Sequence, residues 1–323
     1  MQKTLSVIDL SAIRDNAKEI KRLANGSKFF AVVKADAYGH GAEEVSRSIE
    51  DIADGFCVAI MEEGIALRVA GIVKPILVFA PPIDGYDAAR AKEYDLSVTV
   101  NSENTAKLCA ENSCHIKVNT GMNRMGCDIS QLPEILKALN LENIEGVYSH
   151  LYAPQDINAS AEQFACFERA ARFVKTYKPN VCAHLAASGG ILRGGRYLSD
   201  GVRAGILLYG YCPEGFNASV TPAMKVYARK VQTTDFMGGG IGYTKADKNY
   251  NKLGVYRCGY ADGFFRTVPL GERTLCMDSF ISEKQDDILC VMDNADEYAK
   301  KCGTISYEVL TSVTQRSERV YKR

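Results

Sequence analysis

The sequence has no Cys-x-x-Cys pair, no excess of either charge and no long apolar run, and each absence removes a class of protein. Its 39 Lys and Arg balance 39 Asp and Glu. A binder of nucleic acid or of an anionic membrane draws affinity from a basic excess, so neither partner is expected. The longest apolar stretches, such as Pro75-Ile-Leu-Val-Phe-Ala80, fall far short of the roughly 18 residues of a membrane helix. The N-terminal segment carries Asp9, Arg14 and Asp15 where a secretory signal needs an unbroken apolar core, so a cytoplasmic protein is expected. The 11 cysteines are odd in number and scattered, and several lie in apolar runs such as Gly55-Phe-Cys-Val-Ala-Ile60. They read as reduced, mostly buried thiols rather than a disulfide framework. The histidines, at positions 40, 115, 150 and 184, show no ligand spacing with one another or with cysteine, so no metal site is expected.

What is present is an ordinary globular composition, 46% hydrophobic and 24% charged over 323 residues. Such a length accommodates about two domains, or one large barrel with an appendage. Strands are predicted at Phe29 to Val33, Phe56 to Ile60, Ile76 to Phe79, Leu96 to Val100, His115 to Val118, Gly146 to His150, Ala183 to Ala186 and Val202 to Tyr209. Amphipathic segments separate them, and another, Ser11 to Ala24, precedes them. Strands buried on both faces and alternating with helices imply parallel β-α-β units, and eight such units imply a closed (β/α)8 barrel. After Tyr211 the pattern becomes β-rich segments broken by turn residues, the signature of an antiparallel β domain. The expected division is a barrel over 11–220 and a C-terminal β domain over 221–323, to which residues 1–10 offer one further strand.

In such a barrel the active site lies at the C-terminal ends of the strands. Lys34 ends the first run, and a partly desolvated lysine has a lowered pKa and can form a Schiff base. The plain alternative is a packed stem with its ammonium in solvent. Ala35-Asp-Ala-Tyr-Gly-His-Gly41 then gathers a carboxylate, a phenol and an imidazole beside that amine. Lys117-Val-Asn-Thr-Gly-Met-Asn-Arg-Met-Gly126 carries Arg124 to the barrel mouth, where a guanidinium suits a carboxylate unless it is merely a solvated surface group. Ser188-Gly-Gly190 and Gly205-Ile206 lie after the last two strands, where barrels commonly bind phosphate, although Ser-Gly-Gly alone is also a simple turn. Together these groups outline a site for pyridoxal phosphate and an amino acid.

Seven runs in order then carry a family resemblance: Ala31 to Gly41, Lys117 to Gly126, Ser149-His150, Val202 to Ile206 with Leu208-Tyr-Gly210, Ile241-Gly-Tyr243, Gly259-Tyr-Ala-Asp-Gly263 and Cys276-Met-Asp278. They resemble the bacterial alanine racemases, pyridoxal-phosphate enzymes with a (β/α)8 barrel followed by a β domain, over nearly the whole chain. The resemblance implies that Lys34 holds the cofactor and acts as one base, while Tyr243 reaches the partner subunit's cofactor in a homodimer and acts as the other. It implies that Tyr38, Ser188 and the backbone of Gly205 and Ile206 bind the phosphate, and that Arg203 hydrogen-bonds the pyridine nitrogen. Arg124 is placed near the substrate carboxylate, Met277 and Asp278 at the partner's substrate pocket and Tyr260 at its entrance. His150 is expected beside the cofactor ring, bonded to Tyr243 or Arg203, and Lys117 matches a position that is carbamylated in some members.

Two departures bear on specificity. Gln315 stands where the family usually has a cofactor-contacting tyrosine, which opens a serine or broad-specificity racemase as an alternative to alanine. Only nine residues separate Arg266 from Cys276, where the family usually has a longer hairpin region. The rivals are a related decarboxylase of basic amino acids and a non-catalytic pyridoxal-phosphate-binding protein. Tyr243, Gly259 to Gly263 and the β domain favour the racemase.

Overall fold

The computed structural model describes residues 4–266 and 275–323, and the chain divides into two units. One contains Ile13–Ala37 and Ala42–Thr221, the other the described residues of Met1–Ala12, Tyr38–Gly41 and Pro222–Arg323.

After β1 (Leu5–Asp9), which belongs to the second unit, the barrel strands follow in chain order. They are β2 (Lys28–Val32), β3 (Gly55–Val58), β4 (Ile76–Val78), β5 (Ser97–Val100), β6 (Cys114–Lys117), β7 (Ile144–Tyr148), β8 (Cys182–His184) and β9 (Gly201–Ala204). All pairings are parallel, and β2 beside β9 closes the ring. Nearly every strand residue is buried; Lys28 and Glu145 are the exposed exceptions. A strand covered on both faces shows no alternation, which is why continuous apolar runs located these elements. Polar caps set the helix starts between strands. Asp84 accepts from the amides of Tyr86 and Asp87, Ser102 from that of Thr105, and Asp156 from that of Ala159. No described helix is long and apolar enough to cross a membrane.

The predicted strand Val202 to Tyr209 is corrected. β9 stops at Ala204, and Ile206–Tyr209 forms a 3-10 turn that ends at the left-handed Gly210. An apolar run cannot by itself distinguish a buried strand from a buried turn. Here side chains hold the turn: Asn16 Nδ2 donates to the carbonyls of Leu208 and Thr221, at 3.1 and 2.9 Å, and the Tyr209 hydroxyl donates to the Val32 carbonyl.

The second unit is built on a six-stranded sheet. β10 (Met224–Asp235) pairs antiparallel with β1, with β13 (Lys252–Arg257) and with β15 (Ile288–Met292). β14 (Phe280–Ser282) extends it beyond β13, and β16 (Glu318–Lys322) runs parallel to β1. β11 (Gly240–Ile241) and β12 (Thr244–Lys245) form a separate small hairpin. Two helices, Ala295–Cys302 and Ser306–Ser312, interrupt the expected all-β pattern. The first is capped by Asn294 and stopped by the left-handed Gly303. Of the segment between Arg266 and Cys276 whose shortness was noted, residues 267–274 lie outside the described residues.

Tyr38–Gly41 belongs to this unit, where the Arg319 guanidinium donates to the Gly39 carbonyl at 2.8 Å. Gly39 has φ +81°, and a Cβ there would meet Thr314 Oγ1 at 2.3 Å and the Leu310 carbonyl oxygen at 2.4 Å. Gly39→Ala is therefore expected to cost about 3 kcal/mol. The measurement is a urea transition, with a lower midpoint at unchanged slope; an unchanged midpoint would contradict the close packing.

Candidate active site

Lys34 stands two residues beyond β2, where the chain leaves the sheet in an unusual way. Ala35, Asp36, Ala37 and Tyr38 are all left-handed, with φ between 51° and 54°. For L-residues this costs about 1–2 kcal/mol each, so the surroundings must enforce it. In the barrel unit the Glu63 carboxylate accepts from the amides of Ala35 (2.6 Å) and Ala59 (2.7 Å), and Asp36 Oδ1 accepts from the amide of Ala42 (2.7 Å). The turn fixes where the Lys34 amine starts. Burial lowers its pKa most, the Arg124 charge lowers it further, and the charge of Glu63 partly offsets both. A lysine so placed holds a larger neutral fraction than a free one, which is what a base or a nucleophile requires.

The strand ends gather further cations. Lys117 closes β6, buried, with its Nζ 5.2 Å from the centre of the Tyr148 ring. Burial and the charges of Arg203, Arg124 and Lys34 push its pKa down to about 8. His150 is driven down to about 3 by burial and by Arg203, Arg124, Lys117 and Lys34, so it is neutral at physiological pH. Arg124 is exposed, on a loop folded around Asn119, whose side-chain oxygen accepts from the amides of Gly121 and Asn123. The structure thus brings Lys34, Lys117, Arg124, His150 and Arg203 into one electrostatic neighbourhood.

Arg203 is the most enclosed of these, 2% exposed, on β9. Its Nη1 donates to His184 Nδ1 and to the His184 carbonyl, both at 2.6 Å. Its Nη2 donates to the carbonyls of Ser149 (2.5 Å) and Leu185 (3.2 Å). Among the described residues this leaves Nε–H as the one guanidinium donor without a protein acceptor. His150 was expected to meet Tyr243 or Arg203, and the imidazole bonded to Arg203 in the single chain is that of His184. That ring is fully buried, stacks on Tyr148 at 5.0 Å, and has its pKa driven well below the ordinary value by burial, Arg203 and His115. Ser188 opens the helix Ser188–Arg193, and its hydroxyl accepts from the amides of Gly205 (3.3 Å) and Leu207 (3.4 Å). Ile206 lies between those two amides.

The remaining candidates lie in the second unit. Tyr38 is buried, with its ring centre 6.0 Å from that of Tyr307. Tyr243 sits in the turn between β11 and β12 and is 80% exposed. Tyr260 and Ala261 donate backbone hydrogen bonds to the carbonyls of Cys276 and Met277, at 3.1 and 2.9 Å. Asp278 makes ion pairs with Arg257 (3.7 Å) and Arg316 (3.1 Å), and both arginines also face the buried Asp262 carboxylate. Gln315 is exposed in the turn before β16. Sequence reasoning missed His184, Tyr148 and Glu63. The available signal was a histidine inside a predicted barrel strand, since a buried imidazole must find a partner.

A closed parallel barrel that gathers a desolvated amine, a fixed guanidinium with one donor to spare and a neutral imidazole defines a class: a barrel protein that holds an anionic ligand against a lysine. Comparison with known proteins narrows it. The family model "Alanine racemase, N-terminal domain" matches residues 8–213, and "Alanine racemase, C-terminal domain" matches residues 223–321. The alanine racemase of Thermodesulfovibrio yellowstonii is 35% identical, over 97% of this chain and 96% of its own. That of Aquifex pyrophilus is 32% identical over 99% and 98%. Among solved structures, alanine racemase from Clostridium difficile 630 superposes with a TM-score of 0.89 at 28% identity, covering 99% of this chain and 96% of that one. Alanine racemase from Bartonella henselae, described with covalently bound pyridoxal phosphate, gives 0.84 at 25% identity and 99% coverage of both chains. The chain belongs to the alanine racemase family.

Proposed function

We propose that the protein interconverts L- and D-alanine with pyridoxal phosphate, as a cytoplasmic homodimer, using Lys34 and the partner's Tyr243 as its two bases. The observation that carries this is Lys34, desolvated and beside the charge of Arg124, in a chain of this family. Racemisation removes the α-proton from one face and returns it to the other, so two bases on opposite faces are the simplest solution. When bound, the cofactor supplies an electron-withdrawing system that acidifies the α-carbon. The residues present suit that group. Lys34 would attach it, Tyr38, Ser188 and the amides of Gly205 and Ile206 would hold its phosphate, and the Nε–H of Arg203 would meet its ring nitrogen. A guanidinium donates a hydrogen bond but gives up no full proton, which limits side reactions that need a protonated ring.

In this reading Arg124 binds the substrate carboxylate, while the partner's Met277 and the partner's Asp278 shape the pocket and Tyr260 lines its entrance. Neutral His150 packs beside the cofactor ring without adding to the positive charge. Gln315 favours a second reading, in which serine is also a substrate: a glutamine amide can still donate to phosphate, but it leaves space a phenol would fill. A panel of L-amino acids assayed for their D-enantiomers tests both. Turnover of alanine above all others supports the first, comparable turnover of serine supports the second, and racemisation of neither overturns the proposal.

A further inference from the structure

The hydrogen bonds around Arg203 continue away from the active-site mouth. His184 Nε2 lies 2.8 Å from His115 Nδ1, and His115 Nε2 lies 3.6 Å from the carboxylate of Glu145, the second residue of β7. The same carboxylate oxygen accepts from the Ser97 hydroxyl at 2.5 Å. Ser97 and Glu145 lie at the starts of their strands, at the end of the barrel opposite Lys34. A polar line therefore runs through the barrel core from Arg203 to Glu145, made beyond Arg203 of side chains none of which was singled out for a role.

A guanidinium only donates, so the bond between Arg203 and His184 stands only while His184 Nδ1 accepts and its hydrogen sits on Nε2. That hydrogen is donated to His115 Nδ1, so the hydrogen of His115 sits on its own Nε2, facing Glu145. At 3.6 Å this last contact is longer than a hydrogen bond, and the carboxylate acts through its charge. The reverse order would point a hydrogen from His184 at Arg203. Glu145 supplies the one group at the far end that favours the productive order.

We propose that Glu145 is a positioning residue for Arg203, setting through His115 the tautomer in which His184 offers Arg203 a lone pair. The consequence for racemisation rests on the function proposed above, whereas the tautomers themselves do not. The experiment is nitrogen NMR of the cofactor-loaded protein labelled with 15N-histidine, with racemisation measured alongside. In the wild type, Nδ1 of both His115 and His184 is expected at an acceptor shift and Nε2 at a protonated shift. Glu145→Leu should move these signals toward values averaged between tautomers and lower kcat/KM by about tenfold. Glu145→Gln keeps an oxygen acceptor and should restore both. A protonated Nδ1 on His184 in the wild type would overturn the proposal, and that measurement requires no variant. Unchanged imidazole shifts in Glu145→Leu would also overturn it. Failure of the racemase reading would instead appear as absent racemisation with the wild-type tautomers as described.

Discussion

Lys34→Ala is expected to remove covalent attachment of the cofactor and to lower racemisation by at least about 10⁴-fold. In the proposed mechanism the variant deletes the anchoring amine and one of the two bases together. Lys117, the other lysine of the cluster, closes a different strand and is packed against Tyr148. The yellow colour should leave on dialysis, and denatured protein should carry no mass adduct after borohydride reduction. The fold should not suffer. Burial and Arg124 disfavour the Lys34 charge, so its folded-state pKa lies below that of the unfolded chain. The folded protein therefore binds fewer protons than the unfolded one between those two values, and this lysine opposes stability until pH rises through that window. Removing it should leave the melting temperature of the cofactor-free protein at or above that of cofactor-free wild type. The same shift predicts that activity rises with pH along a limb below the free-lysine value of about 10.4. A cofactor still covalently held in Lys34→Ala would contradict the assignment.

Tyr243→Phe is expected to lower racemisation by about 10²–10⁴-fold, equally from either enantiomer. Equality is required because the two enantiomers have the same free energy, so kcat/KM must fall by one factor in both directions. Exchange separates the bases. In heavy water, Lys34 can still remove and return the α-proton on its own face, so one enantiomer should acquire deuterium without inversion while the other does not. Mass and chirality measured on the same sample would show this. Full racemisation by Tyr243→Phe would contradict the two-base account, and loss of exchange in both enantiomers would place Lys34 and Tyr243 on a single proton path. Because Tyr243 is 80% exposed in the single chain, its substitution should leave the folded monomer unchanged.

The barrel was legible because strands buried on both faces announce themselves as unbroken apolar runs between amphipathic segments, and Lys34 was legible because it ends such a run. The conformation that aims it was not. Ala35, Asp36 and Ala37 favour right-handed backbone, and only contacts such as Glu63 with the Ala35 amide hold them in the opposite hand. His184 was passed over because its partners, Arg203 and His115, lie on other strands, and pairing across a barrel leaves no trace in local spacing. Ile206–Tyr209 misled because a fully buried apolar run satisfies strand and turn alike until Asn16 is seen holding its carbonyls. In the second unit the helices after Asn294 were hidden by short length amid β-rich sequence, although Asn294 and Gly303 mark the start and end of the first.

The most direct test of the central claim is chiral separation of alanine after incubation with the pyridoxal-phosphate-loaded protein, started separately from pure L-alanine and pure D-alanine. Both reactions are expected to converge on equal amounts of the two enantiomers, and neither should advance with Lys34→Ala. L-alanine that remains optically pure after prolonged incubation with cofactor-loaded wild-type protein would contradict the account.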